Sequence, residues 1–535
     1  MTRVATLPQT FWQSEEVRFA RALLTFDPLQ QQPEPPGYPL YAGIGRLFNF
    51  FVREPFAALL ALSVIAAALG AWLVALAAAE LLGSDWAGGA AALVIYFSPA
   101  MLVFDALPNP EGLAVALIAA AILAMVRGKS LWFGIFAAAA IGVRPEIAPA
   151  MLVMILFFVL SGGAPLKTIA GFVIVLILCF VPLVEAIGAS NLAGYARTSY
   201  SALRTSSEAA GLHGRELLLR FIAHPWGAKW TSFPLLIAAA IGFVVTLRRA
   251  RALAATLAVF ALIHLIFCLA FADRGDGVQP VIPALVVIAI FAAAALSRRP
   301  KVAFAIAVAY AIAGFAYTWP ILHLRRTRPA PPAAAMRYAR RVLPHDSVLL
   351  YEPSLEAWAR FSRFDVAPIR DFDRYADRPD TPLFLLADGG SKTARAAVFE
   401  WPDSDAYGKV TTDHYRVVSL IPLTPNTRYK SLGGVYSFER TADGREWRWL
   451  AGDAIIELPW RGGRIVHLRF ALPDDALIEE NTISVNGEKV TVRRGQAADL
   501  AFRTSSPLRL HASRTFSSER DQRSLAVQLI AVEQR

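Results

Sequence analysis

Long apolar runs separated by short polar stretches dominate the chain as far as residue 323. A helix needs about 20 predominantly apolar residues to cross the hydrocarbon core of a membrane. Ten runs are candidates, although several are shorter than that. The candidate spans are 56–82, 87–106, 112–126, 131–143, 146–160, 168–187, 231–247, 252–272, 278–297 and 302–323. The pattern predicts a polytopic α-helical membrane domain of about ten spans over residues 56–323.

One boundary between spans is a break inside a longer apolar run. Residues 131–160 would read as a single helix if Arg144, Pro145 and Glu146 did not interrupt them. Charged side chains at the centre of a bilayer are costly. We therefore expect two shorter segments that meet at one membrane surface, where these polar residues lie.

The chain is polar on both sides of this block. Residues 1–55 predict an extracytoplasmic acidic loop followed by an interfacial helix over 41–51, with its apolar side chains on one face. Residues 324–395 predict a linker and a small α/β unit. Residues 396–535 contain short alternating runs separated by turn signals, which are typical of a β-rich domain such as a β-sandwich.

Composition narrows the class of protein. Of 535 residues, 56% are hydrophobic and 18% are charged, and the mean hydropathy is +0.44. Residues 56–323 carry only 26 of the 95 charged side chains, although they are half of the chain. These values exclude a disordered chain and a nucleic-acid-binding one. Both cysteines, Cys179 and Cys268, lie in apolar spans, so no disulfide framework is predicted.

The distribution of basic residues predicts the orientation. If the chain starts outside the cytoplasm, the short cytoplasmic loops carry nine Lys and Arg and the short outer loops carry two, Arg144 and Arg274. This is the positive-inside asymmetry. It predicts an integral protein of the bacterial inner membrane with residues 1–55, the loop 188–230 and the C-terminal region outside. We also expect a further span upstream of Met1, which would translocate the first segment.

The first outer segment contains an acidic helix start. Ser14 is a suitable N-cap, and Glu15 and Glu16 follow it in the first turn of a helix over 14–24. Acids at this position stabilise a helix through its dipole, which alone explains them on a surface helix. The alternative is that they serve chemistry in an outer cavity. The proline-rich run over 35–40 is either a linker or a wall of that cavity, where Tyr38 would bind substrate.

Other polar groups are expected on the same membrane face. Glu111 opens a span and is either a partner of the helix dipole or a second acid of the cavity. Arg144 and Glu146 either pair with each other or bind substrate, since an arginine binds a phosphate through two hydrogen bonds. Arg204 and Arg274 are candidate contacts for an anionic headgroup.

The order of these motifs resembles a known family. The sequence lacks a P-loop, an H-E-x-x-H zinc motif and a G-x-S-x-G elbow. The runs Glu15-Glu16-Val17-Arg18-Phe19-Ala20 and Pro35-Pro36-Gly37-Tyr38-Pro39-Leu40 resemble the first outer loop of membrane glycosyltransferases of the GT-C superfold, family 39-like. Pro110-Glu111-Gly112 and Arg144-Pro145-Glu146 resemble later motifs of that family.

This resemblance implies an activity. Such enzymes transfer a sugar, with inversion, from a polyprenyl-phosphate carrier to a glycan, lipid or protein acceptor at the outer face. The acidic pair supplies the catalytic base, which would be Glu15 or Glu16. Glu111 would be a supporting carboxylate that orients sugar hydroxyls or a divalent metal, and no cofactor is otherwise implied. The competing interpretations are a transporter or lipid flippase without glycosyl transfer, and an inactive scaffold.

Overall fold

The computed structural model describes residues 2–197, 215–271, 277–376, 381–391, 396–401, 410, 417–423, 429–440, 446–458, 463–518 and 521–534. The chain divides into two compact units. The first contains residues 1–330 and 402–414, and the second contains 331–401 and 415–535. The first is helical, whereas the second contains almost all of the β-structure.

The first unit is a bundle of apolar helices. Among the described residues, five helices of 21 to 28 residues are long and apolar enough to cross a membrane. Its α-helices are Thr2–Ala5 (α1), Ser14–Leu24 (α2), Pro39–Val52 (α3), Pro55–Leu82 (α4), Asp85–Tyr96 (α5), Pro99–Phe104 (α6), Glu111–Val126 (α7), Ser130–Val143 (α8), Ala148–Leu160 (α9), Pro165–Ile187 (α10), Arg215–Leu218 (α11), Lys229–Arg249 (α12), Arg251–Phe271 (α13), Ile282–Ala294 (α14) and Pro300–Thr327 (α15).

Helix α4 shows how local sequence sets these boundaries. The Glu54 side chain accepts hydrogen bonds from the backbone N–H groups of Phe56 (3.1 Å) and Ala57 (2.6 Å) at its start. Pro55 occupies the first helical position, where its missing N–H costs nothing. At the other end Gly83 adopts a left-handed conformation, which is common just after a helix. The helix between these signals is apolar throughout.

The span predicted over 87–106 is two helices, α5 and α6, instead of one. Ser98 caps the second helix, since its hydroxyl accepts a hydrogen bond from the Met101 N–H at 3.3 Å. Pro99 follows at the first helical position and cannot donate to the preceding turn. The other nine predicted spans each contain one α-helix, of 13 to 28 residues. The predicted break at Arg144 is present, between the end of α8 and the start of α9.

Helix α3 has the exposed apolar side chains expected of an interfacial helix. Phe50 and Phe51 are each 73% exposed and Leu47 is 58% exposed, while Tyr41 on the opposite side is fully buried. Exposed apolar residues on a defined face mark a surface that contacts lipid or another protein. The arrangement suits a helix that lies at the membrane surface beside α4.

Gly242 on α12 allows a very close helix contact. A Cβ atom at this position would lie 1.7 Å from the carbonyl oxygen of Phe291 on α14. Small residues let the backbones of membrane helices approach one another.

We expect Gly242→Ala to destabilise the protein by about 1–3 kcal/mol, because the two helices must separate to admit the methyl group. Thermal unfolding of the purified variant measures this. Gly43→Ala is the control, because a Cβ there would meet no atom within 4 Å. Equal unfolding midpoints for both variants would contradict the close contact.

Buried arginines hold the N-terminal segment against the bundle. The Arg3 Nε donates to Asp105 Oδ2 at 3.2 Å, and its guanidinium lies 4.0 Å from the centre of the Tyr96 ring. The Arg325 guanidinium, near the end of α15, lies 3.4 Å from the ring centre of Trp12. Such cation–π contacts are strongest when they are desolvated. They fix the path of the chain that leads into α2.

The second unit contains two main sheets. A five-stranded sheet has the order β2-β1-β3-β5-β4, with β1 parallel to both of its neighbours. Its strands run as far as Leu423, so the α/β unit is longer than the 324–395 that the sequence predicts. An eight-stranded sheet follows the path β10-β9-β12-β7-β15-β8-β11, with β6 paired to β7. The two end strands, β10 and β11, contact each other, so this sheet curls around its apolar core.

The remaining elements have the following bounds. The helices are Pro331–Val342 (α16), Glu356–Arg360 (α17) and Phe372–Ala376 (α18). The strands are Val348–Tyr351 (β1), Asp365–Pro368 (β2), Leu383–Asp388 (β3), Ala397–Glu400 (β4), Val417–Leu423 (β5), Lys430–Arg440 (β6), Glu446–Glu457 (β7), Arg464–Leu472 (β8), Glu480–Val485 (β9), Glu488–Arg493 (β10), Gln496–Thr504 (β11), Leu508–Ala512 (β12), Phe516–Ser518 (β13), Asp521–Leu525 (β14) and Val527–Gln534 (β15).

Candidate active site

Polar side chains from five separate segments of the first unit meet in one cluster. Each segment is at, or next to, the N-terminal end of a helix. The members are Glu15 in the first turn of α2, Tyr38 just before α3, Glu111 at the start of α7, Arg144 and Glu146 between α8 and α9, and Gln279 before α14. Because helix N-termini carry a partial positive charge, this convergence favours negatively charged groups.

Arg144 lies at the centre of the cluster. Its guanidinium forms ion pairs with Glu111, through Nη1, and with Glu146, from Nε to Oε1 at 3.4 Å. The side chain is only 6% exposed. A buried charge persists only when it is paired and hydrogen-bonded. The adjacent Pro145 interrupts the α-helix here and turns Arg144 towards the acids.

Tyr38 is a second hydrogen-bond partner of Glu146. Its hydroxyl donates to Glu146 Oε1 at 2.9 Å, and its ring packs edge-on against Phe19 of α2 at 5.1 Å. Tyr38 has a φ of 42° and follows Gly37, which has a φ of 101°. Two consecutive residues in this region make a sharp turn, which glycine tolerates at little cost. The turn brings the proline-rich segment into the cluster.

Gln279 is a member that the sequence analysis does not identify. Its Nε2 donates to Glu111 Oε1 at 2.7 Å and to Glu15 Oε2 at 3.4 Å. It is therefore the direct link between the acidic helix start and the ion pair. The only signal for Gln279 in the sequence is its place beside Pro280 on the predicted outer face. A single glutamine forms no motif whose spacing could identify it.

The acidic pair is divided between two environments. Consecutive helical residues point roughly 100° apart, so both cannot face one site. Glu15 is partly exposed and belongs to the cluster, whereas Glu16 is fully buried. Glu16 Oε2 accepts a hydrogen bond from the Trp12 N–H at 2.8 Å, just before the helix begins. Glu16 thus supports the helix start, and Glu15 is the more exposed of the two acids.

Both acids are shifted towards the neutral form. Loss of hydration raises the pKa of Glu15 above its usual value, and Arg144 opposes this shift. Burial raises the pKa of Glu16 to about 8, against the hydrogen bond from Trp12. A carboxylate with a raised pKa is a stronger base than an ordinary one, which suits Glu15 to accept a proton.

Glu16 is expected to make the protein less stable as pH rises. Its folded pKa lies above the ordinary value of 4.5, so its contribution is complete below pH 4.5 and is lost as pH rises through about 8. We expect Glu16→Gln, which keeps an acceptor for Trp12, to show a smaller decline in unfolding temperature between pH 5 and 9. Parallel slopes for variant and wild type would contradict the buried, protonated acid.

Two predicted contacts fall outside this geometry. Arg204 and Arg274 lie outside the described residues, so their predicted phosphate contacts stay predictions. In the part of the chain that the structure describes, no three His, Cys, Asp or Glu side chains are grouped to hold a metal ion. Glu111 is bound to Arg144 and Gln279 instead.

Comparison with known proteins addresses the fold. No protein-family model and no curated protein matches the sequence. ArnT from Cupriavidus metallidurans in the apo state aligns with a TM-score of 0.53 over 78% of this chain and 95% of its own, at 13% identity. The same protein bound to undecaprenyl phosphate gives 0.54 over the same shares, also at 13% identity. An oligosaccharyltransferase from Archaeoglobus fulgidus gives 0.45 over 98% of this chain and 92% of its own, at 11% identity.

The chain has a GT-C fold. The two ArnT alignments have TM-scores above 0.5, and this statement rests on them. The GT-C fold confirms the predicted architecture, a polytopic helical membrane protein with a C-terminal β-rich region. The narrower assignment to a family 39-like group stays a prediction.

Proposed function

We propose that this GT-C protein transfers a sugar from a polyprenyl-phosphate carrier to an acceptor hydroxyl at the extracytoplasmic face, with inversion at the anomeric carbon. Glu15 is the general base. The observation that carries the proposal is a partly exposed carboxylate beside the buried ion pair of Arg144 and Glu111, at the end of the bundle where the predicted outer loops meet.

The chemistry needs one proton acceptor. The acceptor hydroxyl loses its proton as its oxygen attacks the anomeric carbon, and a positioned carboxylate receives that proton. The bond between this carbon and the phosphate oxygen breaks, and its electron pair leaves with the polyprenyl phosphate. That phosphate is already a good leaving group, so it requires stabilisation of charge and no acid. A single active carboxylate therefore suffices.

Glu111, Arg144 and Glu146 form the frame around this base. Two carboxylates share the single guanidinium of Arg144, so much of its positive charge is already balanced. We propose that this frame fixes the position and basicity of Glu15. Arg204 and Arg274 are the proposed contacts of the donor phosphate.

Two observations support the proposed lipid carrier. ArnT, whose fold this chain shares, is known in a complex with undecaprenyl phosphate. The long apolar helices here offer an apolar surface to a lipid tail, and the polar cluster lies beside it at the helix ends. We propose the same class of carrier, with the β-rich unit outside the cytoplasm.

The test is transfer by the purified protein in lipid nanodiscs. A panel of polyprenyl-phosphate hexoses and pentoses is supplied with glycan and lipid extracts of the source cells as acceptors. We expect a glycosylated product by mass spectrometry, with inverted anomeric configuration by NMR. Movement of the lipid between leaflets without any transfer, over the whole panel, would favour the lipid flippase.

A further inference from the structure

We infer that Gln279 is a positioning residue of this site, which holds Glu15 and Glu111 on one side-chain amide. The inference rests on the proposed function and deepens it. It names a residue that acts on the base and not on the substrate.

Chemistry determines which end of the amide faces the acids. An ionised carboxylate only accepts hydrogen bonds, so the donating NH₂ group of Gln279 must face both of them. The Nε2 atom lies 2.7 Å from Glu111 Oε1 and 3.4 Å from Glu15 Oε2. The amide is thus bound firmly to Glu111, which Arg144 also fixes, and offers its second N–H to Glu15. Gln279 therefore connects Glu15, the proposed proton acceptor, to the buried acid that is paired with Arg144.

The backbone that carries Gln279 is held from a different helix. The His264 ring of α13 donates from Nε2 to the carbonyl oxygen of Pro280 at 2.8 Å. The Cys268 thiol, one turn further along, lies 3.4 Å from the same oxygen. Gln279 itself is only 3% exposed. Because its backbone and its amide are both fixed, it is suited to set a distance between two acids.

The amide also affects proton uptake by the base. A hydrogen bond donated to the charged form of a carboxylate stabilises that form, so its loss raises the pKa. The charged and titratable groups that face Glu15 besides Gln279 are Arg18, Glu16, Tyr38, Tyr41, Glu111, Arg144 and Glu146. All seven residues are retained in a Gln279 variant, in which Glu15 and Glu111 lose the amide donor. A shift in the pH profile therefore reports the loss of that donor from these two acids.

The experiment compares Gln279→Leu and Gln279→Met with wild type in the nanodisc transfer assay. Both replacements keep the size of the side chain and remove its N–H donors. We expect kcat to fall about ten- to a hundredfold with the donor KM within about twofold of wild type. We also expect the acidic limb of the pH profile of kcat/KM to move up by about one pH unit. Gln30→Leu, at an exposed position of the first outer segment, is the matched control.

The outcomes separate the inference from the proposed function. If Glu15→Gln keeps wild-type transfer, the proposed function is wrong whatever Gln279 does. If Glu15→Gln is inactive but both Gln279 variants keep the wild-type rate, or lose activity equally at every pH, only the inference is wrong. Failure of both Gln279 variants to fold would also contradict it, because Gln279 would then be a structural residue.

Discussion

Glu15→Gln is expected to lower the rate of sugar transfer by a factor of about 10² to 10⁴, the usual contribution of a general base. Glutamine has the shape of glutamate and can keep one hydrogen bond with Gln279, but it does not accept a proton from the acceptor hydroxyl. The measurement is the initial rate of product formation in nanodiscs at saturating donor. Donor binding is expected to persist, because the change removes no contact that the lipid needs.

Glu16→Gln is the matched control, since it makes the same replacement of a carboxylate by an amide, one residue further along the same helix. Glu16 is buried and accepts from the Trp12 backbone, a role that an amide oxygen also performs. We expect this variant to transfer sugar within a few-fold of the wild-type rate. The reverse ranking, with Glu16→Gln inactive and Glu15→Gln active, would assign the base to the other acid and contradict the geometry of the cluster.

The helices of the first unit can be predicted from the sequence because the hydrocarbon core of a membrane sets a simple rule for the segments that cross it. A span must be long and apolar, and charges end it. The break at Arg144 followed from this rule, and the structure has it. The rule does not detect a turn made of residues that are themselves tolerated in the membrane. Ser98 and Pro99 are such residues, so the pattern predicts one span where the structure has two helices.

Only part of the site can be predicted from the sequence, because its members are far apart along the chain and because the direction of a side chain depends on tertiary packing. The motif residues Glu15, Tyr38, Glu111, Arg144 and Glu146 share a predicted membrane face, and the structure brings them together. Face alone does not say which of two adjacent acids points inwards, because that depends on the rotation of α2. In the structure Glu16 is the acid that turns inwards, towards the Trp12 N–H, and the Trp12 ring contacts the buried Arg325. Gln279 was missed because an uncharged amide becomes informative only next to its carboxylate partners, 168 and 264 residues away.

Arg144→Met is expected to destabilise the protein by about 3–5 kcal/mol, because it leaves buried acids without their cation. Glu111 is fully buried and pairs with Arg144, which also pairs with Glu146. Methionine fills similar space but carries no charge, so the cost comes from electrostatics and not from a cavity. Unfolding of the purified protein by heat or denaturant, followed by tryptophan fluorescence, measures the change. Sugar transfer should be lost as well, since the frame around Glu15 is disrupted.

Arg127→Met supplies the comparison for this prediction. Arg127 also pairs with a glutamate, Glu80, at 3.2 Å, but both side chains are nearly half exposed. An exposed pair contributes about 0–1 kcal/mol, so this variant should unfold almost like wild type. Adding Glu111→Gln to Arg144→Met should restore part of the lost stability, because it neutralises one of the buried acids. If the two arginine variants unfold alike, or if the second substitution restores nothing, the Arg144 cluster is not held by charge.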